Sequence, residues 1–464
     1  MMRATRRLNR KHNGLLRSML TAAERGDAFT RLSFVIMGSG CLFHGQIGRG
    51  LLYLAAQIAF IWYLFGFGWQ YVSKLPTLGT QTQHRVFDEE LGIYRITAGD
   101  NSMAILLFGV VTLVAILLFL RVYAGNLRAA LDAQEKRCKG EPLSTFWEDC
   151  RALTDKKYHI LLLTPPVIMV FVFTVLPLLF MVLIAFTNFD KAHQPPGNLF
   201  TWVGFENFRA LFSGSGQTSA TFFRLFGWTV VWAIFATFLN YLLGMAVALL
   251  INKRGVRFKG LWRTLFVIPI AVPQFVTLLL MSQLLSAEGT GGGINVLLQQ
   301  LGLITQPIPF LSDGTLAKIT VIVVNVWIGI PYTILITSGI LMNIPEDMYE
   351  SARIDGAGPV RTFFSITLPY MLFVTTPYLI TQFVGNFNNF NVIYLLTGGG
   401  PLSLDYFQAG KTDLLVTWLY KQTVDQQNYN LASAIGIIVF LVSAGLSLLV
   451  YNSSSSARKE DQFQ

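Results

Sequence analysis

The sequence predicts an all-α integral membrane protein with about eight transmembrane helices, on three observations. Of its 464 residues 53% are apolar and only 13% charged, with 37 Phe and a mean hydropathy of +0.51, more apolar than a water-soluble chain of this size needs. Apolar runs recur at about 20 residues, the helical length that crosses a hydrocarbon core roughly 30 Å thick, and this length excludes a β-barrel. Basic residues gather in alternate connections between those runs.

In chain order the spans expected are 51–69, 103–120, 160–186, 226–251, 264–286, 319–342, 369–396 and 431–451. A weaker stretch, Leu32 to Phe43, is interrupted by a Gly-Ser-Gly and followed by His44 and Arg49, so it reads as interfacial or re-entrant. The basic first 31 residues lead into no apolar run with a small-residue cleavage site, so no cleavable signal peptide is expected.

The formal charge of +10 could suggest a nucleic-acid partner, but its distribution argues for a membrane. With the N-terminus inside, cytoplasmic segments hold about 25 of the 35 Lys and Arg, concentrated in 1–31, 121–159 and 252–263. That bias toward one side predicts both termini in the cytoplasm. Cys41, Cys138 and Cys150 are odd in number and fit neither a disulfide framework nor a zinc pattern.

The charged connection 121–159 suggests a division near residue 150. Residues 1–150 would be a tail, two accessory helices and a charged loop; 151–464 would be a six-helix working core. The outside loops 70–102, 187–225, 287–318 and 397–430 carry glycine clusters at Gly289–Gly293 and in "LTGGGP", which read as turns that could also meet an external partner. "DYFQAGKT", Asp405 to Thr412, ends like a phosphate-binding loop but begins with Asp where Gly is required and follows no strand, so no nucleotide site is expected in this chain.

The expected spans contain no Asp, Glu, His, Lys or Arg. That speaks against a proton relay, although a sodium site built from backbone carbonyls would leave no such trace. Uncharged polar residues instead form two patterned faces. "NVWIGIPY" places Asn325, Ile328, Gly329 and Tyr332 at i, i+3, i+4 and i+7 of one helix. "QFVGNFNNF" places Gln382, Gly385, Asn386 and Asn389 by the same spacing. Amides, a phenol and aromatics can satisfy the hydroxyls of a neutral sugar and stack on its ring faces; the alternative is that the amides join helices to one another. Pro331, Pro377 and the glycines predict kinks whose freed backbone groups could line a cavity.

Between these two spans lies a charged stretch. Asn343 can cap, Pro345 suits a first turn, and Glu346 and Asp347 complement the positive end of a helix that closes at Asp355-Gly356. Gly356 supplies the left-handed turn, a second short helix runs from about Pro359 to Ile366, and Pro369 opens the next span. The product is a cytoplasmic helix-turn-helix elbow, which on physics alone could be an ordinary amphipathic connector.

The residues "ESARIDGAGPVRTFFSITLP" closely resemble the EAA loop of ABC-importer permeases, matching at Glu350, Ala352, Asp355, Gly356, Ala357, Phe364, Ile366, Leu368 and Pro369, with Ser351 a conservative variant. Together with "NFNNF", "LLTGGGP" and eight spans, residues 160–451 resemble the MalF-type permease of maltose and maltodextrin importers. That resemblance implies a type I importer fold. It also implies a second permease subunit, a cytoplasmic ABC ATPase dimer carrying ATP and Mg, an extracytoplasmic sugar-binding protein, and no cofactor on this chain. The implied coupling residues are Glu350, Ser351, Ala352, Arg353, Asp355, Gly356 and Ala357. The implied sugar contacts are Asn325, Gly329, Tyr332, Asn386 and Asn389, with Ile328 a conservative variant. Gln382 and Gly385 depart from the family's small hydroxyl residue and aromatic, and the loop 187–225 is shorter than the folded loop of some members. An ion-coupled sugar carrier or a membrane enzyme on lipid-linked sugars is the contrasting expectation, and no converging acidic or metal-binding set supports the enzyme.

Overall fold

In the computed structural model, which describes residues 15–88, 92–253, 255–287 and 291–453, the apolar runs fold as helices. Seven are long and apolar enough to cross a membrane, and a bent pair makes up to eight. The terminal segments before residue 15 and after 453, and Gly289 of the first glycine cluster, lie outside the described residues.

By internal contacts the chain forms two compact units, Met1–Val203 and Gly204–Gln464. The first contains α1 (Leu15–Arg25), α2 (Ala28–Leu32) and α3 (Ser39–Phe43). Next come the span α4 (Ile47–Lys74), a hairpin β1 (Arg85–Asp88) and β2 (Ile93–Ile96), and the 37-residue α5 (Ser102–Cys138). It closes with α6 (Phe146–Thr154) and the span α7 (Tyr158–Ile184). The stretch Leu32 to Phe43 is a turn rather than a span, held by α5: Asn126 accepts from the Gly38 amide at 2.8 Å and donates to the Ser33 carbonyl at 3.2 Å. Asp100 ties the facing ends of α4 and α5 together through Lys74 Nζ at 2.6 Å and the amides of Thr80 and Gln81. The hairpin was not foreseen in the loop 70–102; its signal is the alternation in "RVFD" and "IYRI".

The second unit contains α8 (Glu206–Phe212), the span α9 (Gln217–Asn252), α10 (Lys259–Ala271), α11 (Gln274–Leu284), α12 (Gly293–Gln300) and the span α13 (Gly314–Leu341). It continues with α14 (Glu346–Ile354), the span α15 (Pro359–Phe387), α16 (Phe390–Thr397), α17 (Leu415–Val424) and the span α18 (Tyr429–Ser453). Trp228, Trp232, Leu278, Val321, Val324, Val392 and Ile393 form a core that locks α9, α11, α13 and α16 together.

Three expectations are corrected. The fifth span is broken: α10 and α11 meet at 86° across Val272-Pro273, where proline cannot donate and biases the preceding residue to extended backbone, ψ 124°. The seventh span begins at Pro359 and ends at Phe387, ten residues off at the start and nine at the end. The elbow's second arm is therefore the foot of α15, continued through a π-helical turn at Phe363–Thr367. That turn, like the one at Phe171–Val175 in α7, lies just before a proline, Pro369 and Pro177 respectively, whose missing N–H makes the wider turn inexpensive. Lastly, Asn343 does not cap α14: Pro345, with extended ψ 130°, occupies the N-cap position and makes no side-chain cap.

Candidate functional site

The two polar faces read from the sequence meet in one cavity of about 390 Å³ within the second unit. Asn325, Ile328, Gly329 and Tyr332 reach it from α13, and Gln382, Gly385 and Asn386 from α15. Asn389 also lines it, but from a different element than expected. The helix breaks at Asn388, and Asn389 N-caps α16, its Oδ1 accepting from the Val392 amide at 3.1 Å. An Asx cap in place of a helix interior is what a short polar side chain favours when it can bond its own backbone.

The amides are partly spent on the fold. Asn386 Nδ2 donates to Thr237 Oγ1 on α9 at 3.0 Å, and Trp232 Nε1 donates to the Asn386 carbonyl at 3.0 Å. Asn389 Nδ2 points to Asn386 Oδ1 at 3.4 Å. Asn386 thus joins two helices and lines the cavity at once. Asn325 is 5% exposed, and its Nδ2 is buried with no partner; the same holds for Oδ1 of Asn240. A shielded amide atom without a partner costs about 1–3 kcal/mol, so a cavity lined by two of them is incomplete until something polar enters.

Gly329 is required where it stands. A Cβ there would lie 2.4 Å from Asn240 Nδ2, so glycine lets α13 approach α9 and leaves the amide room. Sequence reading missed the polar Thr237, Asn240, Tyr241, Gln274, Thr333 and Tyr378, which line the cavity together with the apolar Ala236, Ile336 and Leu379. Thr237, Asn240 and Tyr241 stand at i, i+3 and i+4, so the spacing rule applied to α13 would have found them. Among the described residues lining the cavity none is Asp, Glu, Lys, Arg or His.

The elbow is the second candidate site. α14 ends at Ile354 with Gly356 at φ +74°, the left-handed geometry expected. Glu350, Ser351, Arg353, Asp355 and Gly356 are exposed, whereas Ala357 is half-buried and Ala352 faces inward. Tyr349 Oη and Thr367 Oγ1 are 3.0 Å apart and hold α14 against the foot of α15. Ile354, Val360 and Phe364 are 87%, 71% and 61% exposed, an apolar surface beside a cleft of about 780 Å³ bounded by α9, α13 and the elbow.

Residues 240–459 match the family described as binding-protein-dependent transport system inner membrane component. The galactooligosaccharides transport permease GanP of Bacillus subtilis (strain 168) is 36% identical, aligned over 78% of this chain and 85% of that protein. The maltodextrin transport permease MdxF of the same organism is 34% identical over 92% of this chain and 95% of its own length. The maltose/maltodextrin permease MalF of Escherichia coli (strain K12) is 37% identical over 56% of this chain and 51% of that protein. Among solved structures, a bacterial ABC transporter that imports the polysaccharide alginate superposes with a TM-score of 0.54 at 23% identity, covering 66% of this chain and 97% of that one, a likeness of fold.

Proposed function

We infer a cargo and a coupling route from one premise: this chain belongs to the binding-protein-dependent ABC-importer permeases, in their MalF-type branch. It is a multi-pass inner-membrane protein and a component of an oligosaccharide importer, not an enzyme. The finer reading is that a neutral oligosaccharide, of maltose or maltodextrin type, passes through the cavity between α9, α13, α15 and α16. The observation that carries it is a wall of amides, hydroxyls and phenols without a charged group, two of whose amide atoms lack partners. Such a wall suits hydroxyls, which both donate and accept, and offers no charge to an acidic or basic cargo.

In this reading the chain pairs with a second permease subunit, receives sugar from an extracytoplasmic binding protein, and seats its elbow in a cytoplasmic ATPase dimer. ATP and Mg are bound there and not on this chain. The exposed Glu350, Arg353 and Asp355 supply charge pairs to the ATPase, and Ile354 and Phe364 the apolar contact. Because Tyr349 fastens α14 to α15, a force on the elbow is transmitted to the helix bearing Gln382, Gly385 and Asn386. Closure of the dimer changes the cavity only insofar as the elbow contacts differ between states. Both termini lie in the cytoplasm in this arrangement, which the basic-residue bias supports.

A photo-reactive group at Ile354 in the native membrane tests the route. Cross-linking to a nucleotide-binding subunit, with a second permease in the purified complex, is the expected result. A stable complex without an ATPase would overturn it and favour an ion-coupled carrier.

A further inference from the structure

The wall of the cavity supplied by α9 was not expected from the sequence, and its geometry is unusual. A π-helical turn, Phe235–Leu239, interrupts α9 immediately before Asn240. An extra residue in a turn rotates the remainder of the helix about its axis, and such turns recur at functional sites. Thr237, inside that turn, and Asn240, directly after it, both line the cavity.

The two residues differ in what they have left to give. Thr237 Oγ1 is engaged by Asn386. Asn240 Nδ2 donates to the Ala236 carbonyl at 2.8 Å, which fixes the amide's orientation and turns Oδ1 away from that bond. Oδ1 is therefore a shielded acceptor with no donor. On the neighbouring α13, Asn325 Nδ2 is a shielded donor with no acceptor, and its residue lines the same cavity. Gly329, one helical turn after Asn325 on the same face, is the residue whose missing Cβ leaves space at the Asn240 amide.

We propose that Asn240 is a specificity-determining residue of the cargo path, and that one sugar hydroxyl bridges it to Asn325, accepting from Asn325 Nδ2 and donating to Asn240 Oδ1. This rests on the reading of the cavity as the cargo site. A hydroxyl does both jobs with one oxygen, whereas an ether oxygen or a deoxy position satisfies at most one partner and leaves the other buried and unpaired. The bridged position thereby selects a free hydroxyl at one place on the sugar.

The test uses the full transporter, permease pair with its ATPase and binding protein, in proteoliposomes, measuring ATP-driven uptake of maltotriose and of a galactooligosaccharide. Asn240→Leu keeps the volume but removes the acceptor, and uptake of the preferred sugar should fall about five- to tenfold while the subunits still co-purify. Asn240→Thr, whose hydroxyl can donate to the Ala236 carbonyl and still accept, should recover most of that loss. Asn325→Leu should lose a similar factor. Because both partners serve one hydroxyl, the double variant should lose little more than either single one. Additive losses, or Asn240→Leu transporting like the unaltered protein, would overturn the proposal. Asn386→Ala separates the two levels. If it impairs uptake while Asn240→Leu does not, the cargo reading stands and the bridge falls. If neither impairs uptake, or the unaltered transporter moves neither sugar, the cargo reading falls and the bridge with it.

Discussion

At the scale of single residues the cavity depends on where amides end up after folding has used what it needs. Asn386 holds α15 to α9, Asn389 caps α16, and Asn240 and Asn325 keep shielded atoms without partners. Asn386→Ala removes both a helix-joining bond and a cavity amide. We expect uptake to fall about tenfold while the complex still assembles, checked by co-purification alongside transport, since a single interhelical bond of this type is worth only about 1–2 kcal/mol. Gly329→Ala should act through space: its Cβ would displace the Asn240 amide, so uptake falls although no polar group is lost. Normal uptake by that variant would show that the cavity tolerates narrowing there. Of the eight residues placed on the two polar faces by periodicity, all line the cavity, yet the α9 wall was missed, because its three polar residues, although at helical spacing, sit within an otherwise apolar run to which the rule was not applied.

Elements show where local rules compete. The elbow's first arm, its acidic opening and its closing Gly356 were legible because helix dipoles and C-terminal turns act within one turn of helix, although the cap expected of Asn343 does not form. Its second arm was not, since Pro359 and Pro369 look like two helix starts while a π-helical turn carries one helix between them. Gly356 and Gly358 make a matched pair for testing. Neither has a neighbour within 4 Å of an added Cβ, but Gly356 has φ +74° and Gly358 φ −72°. Gly356→Val therefore strains the turn by about 1–2 kcal/mol and should uncouple ATP hydrolysis from uptake, whereas Gly358→Ala should transport normally. Equal transport by both would contradict a conformational role for Gly356. The Asp100 brace between α4 and α5 is a second element-scale test. Its carboxyl is held below the usual range by the Lys74 ammonium and the Thr80 amide, so it stabilises above the ordinary Asp pKa of about 3.9 and the contribution is lost as pH falls through its lower folded value. Asp100→Asn should lower the thermal unfolding midpoint at pH 7, and the difference should shrink toward zero well below pH 4; a difference independent of pH would argue against the ion pair.

For the whole molecule, composition and apolar length were enough to give the membrane class and the number of crossings to within the one broken span. What they could not give was the bend at Val272-Pro273, because a hydropathy run is blind to direction. The absence of charge across the expected spans, read from the sequence, persists in the cavity lining and aligns with relatives named for galactooligosaccharide and maltodextrin transport. The most direct test is uptake of labelled maltotriose by the reconstituted four-part transporter, with ATP supplied and all ion gradients collapsed by ionophores. The account predicts accumulation that requires ATP and the binding protein and survives the ionophores. Uptake that persists without ATP and vanishes when the gradients collapse would contradict it.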